Sequence, residues 1–147
     1  MQVKNKEKII FDGRGLKVGL VAARFNTDIT KGLTASALRY LAECRVAKKN
    51  IVVVSVAGSM EIPYALQKLA SVKRFDCLVA LGCVVKGETP HFDYVCKTAQ
   101  EGALRVSLDF HIPVGFGVIT VNSLEQAKAR VHSGADAASA ALELALL

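Results

Sequence analysis

The sequence lacks the features that mark a membrane or secreted protein. No run of 18 or more apolar residues occurs, so no membrane-spanning helix or membrane partner is predicted. Residues 1–8 are mostly charged or polar, unlike the apolar stretch of a secretory signal, and we expect them to form a frayed tail. The four cysteines form no Cys-x-x-Cys pair, which indicates buried thiols in a reducing, cytoplasmic environment.

Motifs of cofactor and nucleophile chemistry are also missing. The chain contains no Gly-x-Gly-x-x-Gly dinucleotide fingerprint, no P-loop and no nucleophile elbow. No spacing of His and Cys resembles a zinc site. We therefore expect any binding pocket to be free of metal.

Composition and charge indicate a single folded domain. The 147 residues are 52% hydrophobic and 22% charged, which excludes intrinsic disorder and predicts one domain over residues 1–147. The net charge is +6, but the basic residues are scattered and lack the interleaved aromatics of single-strand binders. We expect no nucleic-acid partner, because a basic surface or an anionic small molecule explains the charge as well.

Apolar strands alternate with amphipathic helices along the chain. Strands are predicted at Lys17–Ala23, Ile51–Ala57, Asp76–Val85 and Ile112–Val121, and helices at residues 29–44, 62–69, 92–110, 123–131 and 134–147. Continuous apolar strands are typical of a parallel sheet covered on both faces. We predict a three-layer α/β/α fold with a flavodoxin-like, four-stranded parallel sheet in the order 2-1-3-4. Ile9–Phe11 is a candidate for a short extra strand, on this sheet or a neighbour's.

The last predicted helix suggests assembly. Asp136, Ser139 and Glu143 form one narrow polar stripe, and almost every other residue there is Ala or Leu. A surface helix has a wider polar face, so we expect this helix to pack on its own sheet and on a second subunit. The alternative is a well-buried helix in a monomer.

Polar residues gather where the predicted strands end, at residues 24–26, 58–61, 86–91 and 120–122. Ligands of open α/β sheets bind beyond the carboxyl ends of strands, so these segments should meet. Thr89 and Pro90 are typical of a helix start, whose free N–H groups suit a phosphate. The helix dipole there favours a neutral His91, usable as a base near pH 7. The alternative is an ordinary capped turn with a surface histidine.

Three other side chains have both a functional and a structural interpretation. Phe25 either stacks on a planar ligand ring at the sheet edge or belongs to the core. Glu61 either accepts hydrogen bonds from hydroxyls or stabilises a helix N-terminus. Arg130 either holds a phosphate or complements the C-terminus of its helix.

Five clusters together resemble the 6,7-dimethyl-8-ribityllumazine synthase family. They are Ala23–Asn26, Gly58–Pro63, Leu81–Tyr94, Phe116–Thr120 and Glu125–Arg130. The resemblance runs from about Gly15 to Leu144, and the segment Gly82–Tyr94 is highly specific. It implies condensation of 5-amino-6-(D-ribitylamino)uracil with 3,4-dihydroxy-2-butanone 4-phosphate to the lumazine, phosphate and water, without metal or organic cofactor.

The resemblance also implies a role for each site residue. Phe25 would stack on the pyrimidine ring, while Glu61 and the backbone near Ser59 and Met60 would hold the ribityl chain. Backbone groups at Cys83, Val84 and Val85 would bind the uracil edge, Glu88 and Thr89 would offer N–H groups to the phosphate, and His91 would move protons. Phe116 and Arg130 would enter from the neighbouring subunit of a homo-oligomer, with pentamers expected.

Two departures from the family pattern concern the same site. The family usually has an aromatic residue where this chain has Met60, and a longer segment with a lysine after the position of Arg130. We hypothesise that His132 partly replaces that cation. These departures motivate an alternative of a different class, a weakly active or inactive relative that serves as an oligomeric cage or ligand-binding scaffold.

Overall fold

The structure is a computed structural model that describes residues 7–147. Its elements follow in the order β1 (Val18–Ala23), α1 (Thr27–Glu43), β2 (Ile51–Val56), α2 (Ile62–Ser71), β3 (Cys77–Val85), α3 (His91–Phe110), β4 (Val114–Val121), α4 (Leu124–Lys128) and α5 (Ser133–Ala145). Residues 1–6 of the predicted tail lie outside the described residues.

The four strands form one parallel sheet in the order β2-β1-β3-β4, which confirms the predicted fold class. β3 lies between β1 and β4, and its residues Cys77–Val84 are all buried. The register pairs Val18 with Cys77 on one side and Leu78 with Val114 on the other. Because all strands run in one direction, their carboxyl ends lie along a single edge of the sheet.

Helices cover both faces of the sheet, and alternate residues of each strand enter the two layers. α1 and α5 cover one face, where Leu20 and Val79 pack in the same cluster as Leu33 and Leu142. α2 and α3 cover the other face, where residues of β1 and β3 form a second cluster. Its members include Val21, Ile62, Leu66, Ala80 and Val106.

α5 makes unusually close contact with its own chain. A Cβ at Gly115 would overlap the carbonyl oxygen of Ala137, and one at Gly134 would overlap that of Leu33. Ser36 Oγ also accepts a hydrogen bond of 3.0 Å from the backbone N–H of Ala135. α1 therefore covers a second apolar side of α5, while Leu144 of the same helix stays 50% exposed. Packing of α5 on a second subunit stays a prediction.

Residues 7–17 form no strand, so Ile9–Phe11 adds no strand to this chain's own sheet, and its pairing with a neighbour's sheet stays a prediction. The Tyr40 hydroxyl donates a 2.7 Å hydrogen bond to the carbonyl of Ile9 and lies 3.1 Å from Ser139 Oγ. Since a phenol has one proton, the Ser139 hydroxyl donates to the tyrosine oxygen. The segment is thus held against α1 and α5 rather than a sheet edge, and Lys8 pairs with Glu43 beside it.

α4 begins as predicted but ends early. Ser123 Oγ accepts from the Gln126 N–H at 3.2 Å, and Gln126 Oε1 accepts from the Asn122 N–H at 2.8 Å. This arrangement is close to a capping box. The helix ends at Lys128 rather than near residue 131, so Arg130 lies in the turn that follows it.

We expect Gly115→Ala to lower the free energy of unfolding by about 3 kcal/mol, since the added methyl group meets backbone that cannot rotate away. Urea denaturation of the variant measures this loss. Gly87→Ala is the matched control, because a Cβ there meets no atom within 4 Å and its φ is not positive. Equal stability of the two variants would contradict the close packing of α5 on β4.

We expect Tyr40→Phe to lower the free energy of unfolding by about 1 to 2 kcal/mol at pH 7, because Ser139 and Ile9 lose their partner. Burial raises the pKa of Tyr40 from 10.0 to about 12, so the folded chain holds this proton more tightly. Stability attributable to Tyr40 therefore falls as the pH rises from 10 to 12.

Urea denaturation of wild type and Tyr40→Phe at several pH values tests the expected loss of stability between pH 10 and pH 12. Burial also raises the pKa of Cys77 to about 12, but this contribution is common to both proteins and cancels in the comparison. If the difference in stability between wild type and Tyr40→Phe stayed constant across this pH range, the Tyr40 hydroxyl would have the same pKa in the folded and the unfolded chain.

Candidate active site

A cavity of about 420 Å³ lies at the carboxyl edge of the sheet, beside the ends of β1, β2 and β3 and the start of α3. Its lining combines strand ends with the first residues of the following helices. The lining residues are Phe25, Ala57, Gly58, Ser59, Met60, Glu61, Cys83, Val84, Val85, Gly87, Thr89, His91, Phe92 and Val95. Three of the four segments predicted to meet at this edge contribute to the lining, while residues 120–122 do not.

Phe25 lies on the cavity wall and not in the core. Its side chain is 72% exposed, which excludes the core alternative. The Phe25 N–H donates a 3.0 Å hydrogen bond to the carbonyl of Ala57, which attaches the end of β1 to the end of β2. A flat apolar ring in this position can stack on a planar ligand.

The segment after β2 forms a second wall. Ser59 is buried, while Met60 and Glu61 are exposed to the cavity. Glu61 lies directly before α2 at its N-terminus, makes no side-chain hydrogen bond to the helix end, and lines the cavity. The two interpretations of Glu61 are therefore compatible.

The end of β3 forms the third wall with Cys83, Val84 and Val85. Burial raises the pKa of the Cys83 thiol, which keeps the thiol neutral and unreactive at neutral pH. β3 continues past Leu81, the last residue paired with β1, so backbone groups on that side of the strand are the ones that can bind the edge of a heterocycle.

α3 begins at His91, and its first turn borders the cavity. The His91 backbone N–H lies 3.4 Å from Thr89 Oγ1, a long contact, and Pro90 immediately precedes the helix. Thr89 and His91 both line the cavity, and the His91 side chain is exposed. Glu88 is exposed in the same loop but does not line the cavity.

Phe116 and Arg130 are not among the residues that line this cavity. Phe116 is 41% exposed on β4, opposite Ala80 of β3. Arg130 Nη1 donates a 2.8 Å hydrogen bond to the carbonyl of Gln126, so it complements the end of α4. His132 is also outside the cavity, with Nε2 3.9 Å from Asp136 Oδ2.

Several lining residues have no ligand role predicted from the sequence. Ala57 follows β2 directly, a position that the strand-end rule could have identified. Phe92 and Val95 lie on the first turns of α3, and their helical spacing indicated only a buried face. Gly87 belongs to residues 86–91, the segment predicted at this edge, and it also lines the cavity.

Among residues 7–147, no helix combines the length and the hydropathy that a membrane span requires. In the same range, no group of three or more His, Cys, Asp or Glu side chains is arranged to hold a metal ion. Cys44, Cys77 and Cys83 are buried free thiols, and Cys96 is a half-buried free thiol, as the cysteine spacing predicts.

Comparison with known families identifies the chain. The model of the family described as "6,7-dimethyl-8-ribityllumazine synthase" matches residues 15–147. The chain belongs to the 6,7-dimethyl-8-ribityllumazine synthase family. The resemblance that the five sequence clusters indicated is therefore confirmed, and the cavity is the candidate active site of a lumazine synthase family member.

Individual relatives are similar in sequence to this chain over most of their length. A 6,7-dimethyl-8-ribityllumazine synthase of Verminephrobacter eiseniae is 45% identical over 137 residues, which is 92% of this chain and 89% of the relative. One of Paraburkholderia phytofirmans is 46% identical over 92% of this chain and 82% of the relative. One of Chromobacterium violaceum is 45% identical over 93% of this chain and 89% of the relative.

Proposed function

We propose that this protein catalyses the penultimate step of riboflavin biosynthesis. It condenses 5-amino-6-(D-ribitylamino)uracil with 3,4-dihydroxy-2-butanone 4-phosphate to 6,7-dimethyl-8-ribityllumazine, phosphate and water. The observation that carries the proposal is a single cavity that brings together Phe25, Glu61, the end of β3 and His91 in a chain of this family.

The walls of the cavity suit the parts of the pyrimidine substrate. Phe25 stacks on the ring, and the backbone groups of Cys83, Val84 and Val85 hydrogen-bond its uracil edge. The hydroxyls of the ribityl chain bind Glu61 and the backbone at Ser59 and Met60 on the opposite wall. A thioether at position 60 still packs on apolar surface, so Met60 can serve where a ring would stack.

The start of α3 suits the phosphorylated substrate and the proton transfers. Glu88 and Thr89 lie in the loop directly before the 20-residue helix α3. Their backbone N–H groups are thus near a helix N-terminus, whose dipole favours a phosphate. The reaction forms an imine between the substrate amine and ketone, eliminates phosphate, and closes and dehydrates the second ring. His91 is the group placed to accept and return protons in these steps.

The reaction needs groups positioned around two substrates rather than a strong nucleophile. Holding both substrates in one cavity makes a bimolecular reaction effectively unimolecular. This lowers the activation free energy by on the order of 7–11 kcal/mol in favourable cases. We propose that no metal or organic cofactor takes part, since the steps are the formation of C–N bonds, proton transfers and the loss of water and phosphate.

We further propose that the protein is a cytoplasmic homopentamer of single-domain chains with active sites between subunits. Phe25 is exposed on the cavity wall, so a second surface is needed to enclose a ligand ring against it. Phe116 and Arg130 lie outside their own cavity and are the residues proposed to complete the neighbour's, Phe116 over the ring and Arg130 on the phosphate. Further exposed apolar side chains, among them Val53, Leu104 and Leu108, suit contacts between copies.

The alternative of an inactive cage or scaffold is favoured by no observation in the structure. Met60 lines the cavity in place of an aromatic residue, and the cavity remains lined by Phe25 and His91. The two functions differ in one measurable property, which is whether the purified protein converts both substrates to the lumazine.

We expect purified protein to form the lumazine from its two substrates, followed by absorbance. His91→Ala should lower kcat roughly 100-fold or more if proton transfer limits the rate. Phe25→Ala should raise KM for the pyrimidine, and Arg130→Ala should raise KM for the butanone phosphate. His111→Asn is the matched control, because His111 is an exposed histidine at the other end of α3, away from the cavity. Activity indifferent to all three changes would refute the site, and wild type without activity would support the scaffold alternative.

We expect the variants His91→Ala and Arg130→Ala to complement one another when unfolded, mixed and reassembled. In a site shared by two subunits, about one quarter of sites in an equal mixture then hold both native residues. Phe25→Ala mixed with His91→Ala is the control, because both residues line one chain's cavity and no reassembled site regains both. Activity no higher than the mean of the two separate variants would contradict a shared site.

A further inference from the structure

Asn26 connects two walls of the cavity without lining it. Its Nδ2 donates a 2.9 Å hydrogen bond to the backbone carbonyl of Cys83, 57 residues along the chain. The β1–β3 register ends at the pair Ala22 and Leu81, so this amide joins the two strands beyond the last paired residues. Asn26 itself is not among the cavity-lining residues.

The backbone of Asn26 is as specific as its side chain. Its φ of 60° and ψ of 52° lie in the left-handed region, which asparagine tolerates better than most residues. Its carbonyl accepts from the N–H groups of Ile29 and Thr30, both at 3.1 Å, and so starts α1. The turn from β1 into α1 is therefore set at this residue, directly after Phe25.

The hydrogen bond from Asn26 to Cys83 links the position of the Phe25 ring to the position of β3. Phe25 is bonded to β2 through its N–H and precedes the left-handed turn, so a shift of Asn26 moves the ring. Cys83 opens the backbone stretch that faces the same cavity. Of the two ends of the Asn26 side-chain amide, only the NH₂ group can donate to the Cys83 carbonyl, because the amide oxygen in its place would repel that carbonyl.

We propose that Asn26 is a positioning residue that fixes the distance between the Phe25 ring and the backbone edge of β3. A planar heterocycle stacked on Phe25 then meets the β3 backbone in hydrogen-bonding register. This inference rests on the proposed function. It concerns the pyrimidine part of the site and leaves the phosphate part, at the start of α3, unaffected.

The test compares Asn26→Gly with wild type. Glycine adopts the left-handed backbone freely, so this change removes the amide without straining the turn. We expect affinity for 6,7-dimethyl-8-ribityllumazine, measured by fluorescence titration, to fall about 3- to 10-fold, as for loss of one hydrogen bond. KM for the pyrimidine should rise similarly, while KM for the butanone phosphate stays within about 2-fold, as expected of a distant subsite.

Two further variants make the result decisive. Lys73→Gly is the control, since Lys73 also has a positive φ but is exposed in the turn after α2, away from the cavity. Asn26→Asp keeps the shape but places a carboxylate oxygen against the Cys83 carbonyl, so it should weaken lumazine binding at least as much. If Asn26→Gly does not fold, the lumazine affinity of Asn26→Asp decides whether Asn26 has the positioning role.

The outcomes separate this inference from the proposed function. Folded Asn26 variants that bind lumazine like wild type, or that lose both substrates equally, overturn the positioning role. Wild-type protein that neither binds nor makes the lumazine overturns the proposed function and this inference with it.

Discussion

Parallel pairing of β3 with β1 on one side and β4 on the other sets which residues meet at the cavity. β3 is buried along almost its whole length, so its direction and register leave little freedom to the strands beside it. With the strands parallel, each one delivers its following loop to the same edge. The ring of Phe25, the carboxylate of Glu61 and the first turn of α3 are neighbours for this reason, although long stretches of chain separate them.

The sequence was sufficient for the fold and for most of the cavity because the same physical rule governs both. Unbroken apolar strands require cover on two faces, which predicts a parallel sheet, and a parallel sheet predicts one shared edge. Residues placed directly after strands, such as Phe25 and Glu61, could therefore be assigned to one site from their positions. The role of each residue came from family resemblance, since strand-end position identifies a place and not a reaction.

Contacts between distant segments could not be predicted in the same way. The hydrogen bond from Asn26 to Cys83 depends on side-chain geometry that periodicity does not encode. The hydroxyl of Tyr40, on α1, donates a hydrogen bond to the carbonyl of Ile9. The apolar segment around Ile9, whose composition is typical of a strand, therefore stays outside the sheet. The apolar composition of α5 was ambiguous, because burial between two elements of one chain resembles burial between subunits.

α5 and the first turn of α3 differ in how closely they are packed. α5 lies against the backbone of Gly115 and of Leu33, so it cannot slide or rotate without a clash. α3 starts at the cavity, where its first turn is largely exposed, and ends far from it. A shape change that accompanies ligand entry therefore meets less resistance at the first turn of α3 than at α5, which serves as a fixed base.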